Sequence, residues 1–261
     1  MNFDALWLDT THEQTVHYRK LVFGFLFHWR PYHAIDNEFD VKTNPEMGSY
    51  FRKFVAAFKN ALLGGSKLPP VNSWDLSTAS AVSPRIIFIR RMGHGPRSMP
   101  QSTEDFFYAA FKAQHLELDY ASFGEAELHN YQQQALFSSS VDVLIGIEGA
   151  GFLQQLFMPL NSVLIILHCK DGKETDVGKN RWHEAVGWYL DHSVLNIVST
   201  RLDQISSVEM LQIAKAVAWF LRLHQKWRSQ RLFGSCDMID LSGWSEGVSG
   251  QRCSEFNRSA Y

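Results

Sequence analysis

From residue 85 onward, short apolar runs alternate with stretches of helical periodicity, and this alternation restricts the fold more than any other feature of the chain. Strands separated by helices pair through crossovers rather than hairpins, so the sheet they build is parallel and is covered by helices. The runs at 85–90 (RIIFIR), 116–120, 141–147 (VDVLIGI), 162–168 (SVLIILH) and 194–198 predict five strands. Between the first two, Ser102 or Thr103 is placed to cap a helix with Glu104 and Asp105 in its first turn and Phe106, Phe107, Ala110 and Phe111 on its apolar face. Helices are also predicted at 125–137 and at 151–158, the latter stopped by Pro159. Ser206-x-x-Glu209 reads as a capping box that opens a long final helix. The expected fold class is α/β, a Rossmann-like parallel sheet over residues 85–232.

Upstream, SYFRKFVAAFKNALLGG places Phe51, Phe54, Val55, Phe58 and Leu62 on one helical face and stops at Gly64-Gly65. Residues 66–84, rich in Ser and Pro, read as a linker between segment 1–65 and the sheet domain. Ser and Gly clusters past Phe233 predict a poorly ordered tail over 233–261. Arg222, Lys226, Arg228 and Arg231 end the long helix near Trp219 and Trp227. The 25 Lys and Arg nearly cancel the 27 Asp and Glu, so this cluster reads as a solvated, dipole-compensating face rather than a nucleic-acid surface.

A chain that is 45% hydrophobic carries ample core and is not intrinsically disordered. No apolar run approaches the ~20 residues of a membrane-spanning helix. The N-terminus, MNFDALWLDTTHEQ, has Asp4 and Asp9 where a secretory leader has a basic and then an apolar region, so a complete chain would be cytoplasmic. Cys169, Cys236 and Cys253 include no CxxC pair and read as idle or buried thiols, with a Cys236–Cys253 bridge as the alternative in an oxidising compartment. His94, His115, His129, His168, His183 and His192 are scattered without HExxH spacing and read as structural or surface residues.

Ligands of open α/β sheets bind beyond the carboxyl ends of strands, which directs attention to two junctions. The strand at 141–147 runs into Gly146-Ile147-Glu148-Gly149-Ala150-Gly151, where small residues let backbone amides approach an anion and a helix follows. Tight strand–helix packing would demand the same glycines. The pattern is neither GxGxxG nor GxxxxGK[ST], which disfavours a dinucleotide or Walker site. The second junction follows residues 85–90 and holds Arg90, Arg91, Gly93, Gly95 and Arg97, suited to bidentate phosphate binding or simply to a solvated loop.

Several blocks in fixed order resemble the C-terminal domain of glycosyltransferase family 61, which includes EGF-domain O-GlcNAc transferase, protein O-mannose N-acetylglucosaminyltransferase and plant xylosyl- and arabinosyltransferases. The blocks are Ile89-Arg90-Arg91, Arg97, Gln134, Val141-Asp142-Val143-Leu144-Ile145-Gly146, Glu148-Gly149-Ala150-Gly151-Phe152 and Leu156-Phe157-Met158-Pro159-Leu160-Asn161-Ser162. Residues 17–24 and the helix at 51–62 are similar to the segment joining that family's two Rossmann-like domains.

The resemblance implies a GT-B fold with a UDP-sugar donor, a protein or glycan hydroxyl as acceptor, inverting transfer and usually no essential metal. It implies Arg91 and Arg97 on the diphosphate, Gly149, Ala150 and Gly151 as backbone donors, and Glu148 at the donor site; no catalytic base is identified. It also implies an ER or Golgi lumen and about 150 further residues of acceptor domain. Glu148 stands where the family has His, Ile166 where many members have Glu, Gln101 where it has Asn, and Leu160-Asn161 where it has Pro-Gly. A non-catalytic relative that keeps the fold as a nucleotide-binding or interaction module is the alternative.

Overall fold

The computed structural model describes residues 45–63, 74–76, 83–90, 98–123, 128–169, 182–238, 241 and 251–257. The elements run α1 (Pro45–Leu63), β1 (Ile86–Ile89), α2 (Gln101–Lys112), β2 (Leu118–Ala121), α3 (Tyr131–Ser138), β3 (Val143–Ile147), a 3-10 helix (Ala150–Leu156), β4 (Val163–Cys169), α4 (Trp182–Tyr189), β5 (Ser193–Ser199), α5 (Ser207–Ser229), β6 (Leu232–Met238) and β7 (Gln251–Asn257). They form a seven-stranded sheet in the order β2-β1-β3-β4-β5-β6-β7. All pairs are parallel except β6 with β7. The protein therefore has a mixed α/β fold with a mostly parallel, helix-covered sheet. Among the described residues no helix is long and apolar enough to cross a membrane.

Burial on both faces explains why the central strands read as continuous apolar runs. Ile86, Phe88, Val143, Ile145, Val163, Ile165, Leu195 and Ile197 point to one face, beneath α2 and α5. Ile87, Ile89, Leu144, Leu164, Ile166 and Val194 point to the other, beneath Phe152 and Met158, with Phe137 and Trp188 packed alongside. At the amino end, Asp142 Oδ2 accepts the Arg85 amide hydrogen at 2.9 Å and ties β1 to β3. Burial raises the Asp142 pKa, and the hydrogen bond from Arg85 opposes that rise.

The segment upstream of the sheet is docked onto it. In α1, Phe51 and Val55 pack with Tyr189 and Leu190, and Leu63 packs with Ala135 and Phe157. Lys59 Nζ donates to the Met158 carbonyl at 2.8 Å, and burial pulls its pKa down to about 8. Within the expected linker, Trp74 is buried, stacks on His224 with ring centroids 5.5 Å apart, and lies under the Arg228 guanidinium. Residues 64–73 and 77–82 fall outside the described set.

Several local expectations are corrected. Helix α2 starts at Gln101 with Pro100 as its N-cap and no side-chain cap, so neither Ser102 nor Thr103 caps it. Phe106 is exposed while Phe107, Ala110 and Phe111 are buried. Helix α3 begins later than predicted, where the Asn130 side chain accepts from the Gln133 amide at 2.8 Å. Ser206 does cap α5, accepting from the Glu209 amide at 3.2 Å, but Glu209 reaches back to the Thr200 amide rather than to Ser206. Trp227 is buried against Phe220, so it contributes no exposed ring to the basic end of α5. Helix α4 has no counterpart in the sequence reading.

The largest correction is at the C-terminus, where β6 and β7, at 232–238 and 251–257, run through the stretch expected to be poorly ordered, and residues 239–240, 242–250 and 258–261 lie outside the described set. Gly234 lies inside β6, where a Cβ would stand 2.5 Å from Trp227 and 2.7 Å from the Ser254 carbonyl, so only glycine fits. Strand β7 escapes notice because Cys253, Ser254 and Glu255 are exposed and Phe256 alone is seen to be buried, stacked on Phe233. Trp227 Nε1 donates to Glu255 Oε1 at 2.7 Å, and Cys236 and Cys253, directly opposite each other, are joined in a disulfide rather than left as idle thiols. Closing a loop of 17 residues corresponds to about 3 kcal/mol of lost unfolded-state entropy. Cys253→Ser is expected to lower stability by about 2–4 kcal/mol in urea unfolding, and reductant should add nothing further to the variant. Equal urea midpoints for the oxidised protein and the variant would overturn this.

Candidate functional site

Strand order reverses between β1 and β3, because β2 lies on one side of β1 and all later strands lie on the other. The helix after β1 packs on one face of the sheet and the 3-10 helix after β3 on the other, which makes the β1/β3 boundary the switch point where ligands of doubly wound sheets usually bind. These are the two junctions that stand out in the sequence.

At the β1 junction, Arg90 is already engaged. Its Nη2 contacts Glu104 Oε2, a carboxylate almost wholly buried in the first turn of α2. The Arg90 guanidinium also lies over the Tyr120 ring at 5.3 Å, and the Tyr120 hydroxyl donates to the Glu104 carbonyl at 2.7 Å. Burial, reinforced by the Glu104 charge, raises the Tyr120 pKa. Arg90 therefore braces β1, β2 and α2. Arg91, Gly93, Gly95 and Arg97 lie outside the described residues.

At the β3 junction the glycines answer two different demands. A Cβ on Gly146 would come within 3.1 Å of Ile89, and one on Gly151 within 3.0 Å of the same side chain, so these two glycines let β3 and the 3-10 helix close over β1. Gly149 has φ 151° and ψ −174°, a conformation essentially restricted to glycine. Ala150 and Gly151 open the 3-10 helix, in place of the α-helix expected at 151–158. Seven residues of 3-10 helix carry a weaker dipole than the expected helix, so any anion contact here rests on individual amides. A buried polar chain steadies this element. Ser138 Oγ donates to Gln154 Oε1 at 3.1 Å, Gln154 Nε2 to Gln134 Oε1 at 2.7 Å, and Gln134 Nε2 to the Leu128 carbonyl at 2.9 Å. His183 packs on Phe152, and His192 meets the Gln155 carbonyl at 3.2 Å; burial pushes the His192 pKa down to about 3 and keeps that ring neutral.

Glu148 follows β3 and leads into a relay across four strands. Its Oε2 lies 3.3 Å from Nδ1 of His168 on β4. His168 Nε2 lies 3.1 Å from Asn196 Oδ1 on β5, and Asn196 Nδ2 donates to Asp237 Oδ1 on β6 at 3.0 Å. Burial works against a charge on His168. Hydrogen bonds to Glu148 and Asn196, with the negative charges of Glu148 and Glu184, outweigh that and hold its pKa above the ordinary histidine value. Glu184, buried on α4, accepts a hydrogen bond from Ser235 Oγ. Sequence reasoning set His168 aside as one of a scattered group and passed over Asn196, Glu184 and Asp237. The available signal was Asn196, a lone amide in the otherwise apolar stretch VLNIV, because a polar group buried between two covered faces needs a partner.

Ile166, on the strand after the glycine turn, is 2% exposed and belongs to the apolar core. Among the described residues, no group of three or more His, Cys, Asp or Glu side chains is arranged to hold a metal ion. No known protein family matches the chain, and no curated protein sequence matches it.

Replacing Gly149 with Ala is expected to cost about 1–3 kcal/mol of stability in urea unfolding; a loss below about 0.5 kcal/mol would show that the turn relaxes. The His168 contact supplies a second expectation. A histidine whose pKa is raised on folding stabilises the fold fully below about 6.5 and loses that contribution as pH rises through the raised value. The stability difference between the natural protein and Glu148→Gln should therefore be largest below about pH 6.5 and shrink as the pH rises through the raised value. A difference independent of pH would refute the assignment.

Proposed function

We propose that the chain is the donor-binding part of a GT-B glycosyltransferase similar to family 61, moving a sugar from a UDP-sugar to a protein or glycan hydroxyl with inversion. The observation that carries this reading is the coincidence of the β1/β3 switch point with the junctions singled out in sequence by arginines and by glycines. In this reading Arg91 and Arg97 meet the diphosphate and the backbone at Gly149, Ala150 and Gly151 supplies donors. Such donors act most strongly as negative charge accumulates on the departing UDP.

A second reading, a non-catalytic nucleotide-binding or interaction module, is favoured by the burial of Ile166, which leaves no side chain at that position for ribose hydroxyls. Calorimetry with UDP separates the possibilities. Binding with a Kd of about 1 mM or tighter is expected, corresponding to about −4 kcal/mol, and no heat at that concentration would sink the transferase reading. Binding without turnover of any UDP-sugar would favour the module.

A further inference from the structure

We propose that Glu148 is the general base of the sugar transfer, with His168 as its proton-holding partner and Asn196 and Asp237 as the residues that position the pair. The inference rests on the donor-site reading above. Its geometric basis is a chain of hydrogen bonds with one consistent direction. Because Asn196 Nδ2 donates to Asp237 Oδ1, the amide turns its oxygen to His168 Nε2 and takes the hydrogen there. His168 is thereby fixed with Nε2 protonated, and its Nδ1 faces Glu148 Oε2 at 3.3 Å. Without a proton between them, a nitrogen lone pair faces a carboxylate; with one, they form an imidazolium–carboxylate pair. The arrangement is built to take up a single proton.

Burial differs along the relay. Asn196 is 4% exposed and closes the inner end, whereas the Glu148 side chain is 22% exposed at the start of the glycine turn. Among the described residues, the charged groups acting on His168 are Glu148 from the turn after β3 and Glu184 from α4, with Asp237 behind Asn196 on β6. The charges of Glu148 and Glu184 both favour proton uptake on His168. In the transfer, the acceptor hydroxyl oxygen forms its bond to the anomeric carbon as the bond from that carbon to the diphosphate oxygen breaks, its electron pair leaving on UDP. The hydroxyl proton passes to the Glu148 carboxylate, is held between Oε2 and Nδ1, and is then released to solvent.

The test uses the full chain with UDP for binding and a panel of UDP-sugars for turnover. Glu148→Gln is expected to bind UDP at least as well as the natural protein and to lose about 10²–10⁴-fold in turnover. Asn196→Leu is expected to keep UDP binding and to move the acid limb of the kcat–pH profile downward. In ¹⁵N-histidine spectra of the natural protein, neutral His168 should carry its hydrogen on Nε2, a preference that Asn196→Leu removes. Undiminished turnover by Glu148→Gln, or an Nδ1-protonated neutral ring, overturns the assignment while the donor site stands. Binding of UDP with no turnover in the natural protein overturns it in favour of the module, and absence of UDP binding overturns both.

Discussion

A polar side chain inside a sheet covered on both faces has no water to pair with, and that constraint organises this protein's carboxyl edge. Strands β3, β4 and β5 are buried along nearly their whole length, so each polar group near their ends must find a partner on the next strand. Asn196 sits in register with Asp237, and His168 lies two residues further along β4 than Asn196's own partner, Ile166. The register thus sets the diagonal that the Glu148–His168–Asn196–Asp237 relay follows. A one-residue slip between β4 and β5 would send His168 and Asn196 to opposite faces and leave each buried without the other.

The same close packing explains the glycine turn without reference to any ligand at two of its positions. Gly146 and Gly151 are small because Ile89 occupies the space that their side chains would need. Gly149 answers a different demand, set by backbone conformation, and places the start of the 3-10 helix beyond the end of β3. A glycine-rich string after a strand therefore mixes packing and approach to a ligand, and only the position of the turn relative to the switch point separates the two. That position, rather than the number of glycines, gives the junction its functional weight.

The parallel core was legible because both faces of it are apolar, and β1, β3, β4 and β5 each lie within about two residues of their predicted bounds. Where burial is one-sided, pattern reading fails. Strand β7 exposes Cys253, Ser254 and Glu255, and β6 carries a glycine that Trp227 requires, so both resemble a Ser- and Gly-rich tail. Helix α4 is short, and its buried His183 and Glu184 disguise an inward face. The candidate site was legible at Glu148 to Gly151, which are contiguous in sequence. The rest of the relay was not, because His168, Asn196 and Asp237 are single residues on separate strands, brought together only by the sheet register.

Seen this way, the C-terminal hairpin belongs to the site as much as to the scaffold. Asp237 follows Cys236 directly, and the disulfide, the Trp227–Glu255 bond and the Phe233–Phe256 stack hold β6 between β5 and β7. Without β7, β6 would be an edge strand and Asp237 would stand against solvent, where a carboxylate satisfied by water has less reason to hold the Asn196 amide in one orientation. The direction of every hydrogen in the relay depends on that amide. The hairpin thus bears on the relay without touching Glu148, because Asp237 holds the Asn196 amide and that amide meets His168.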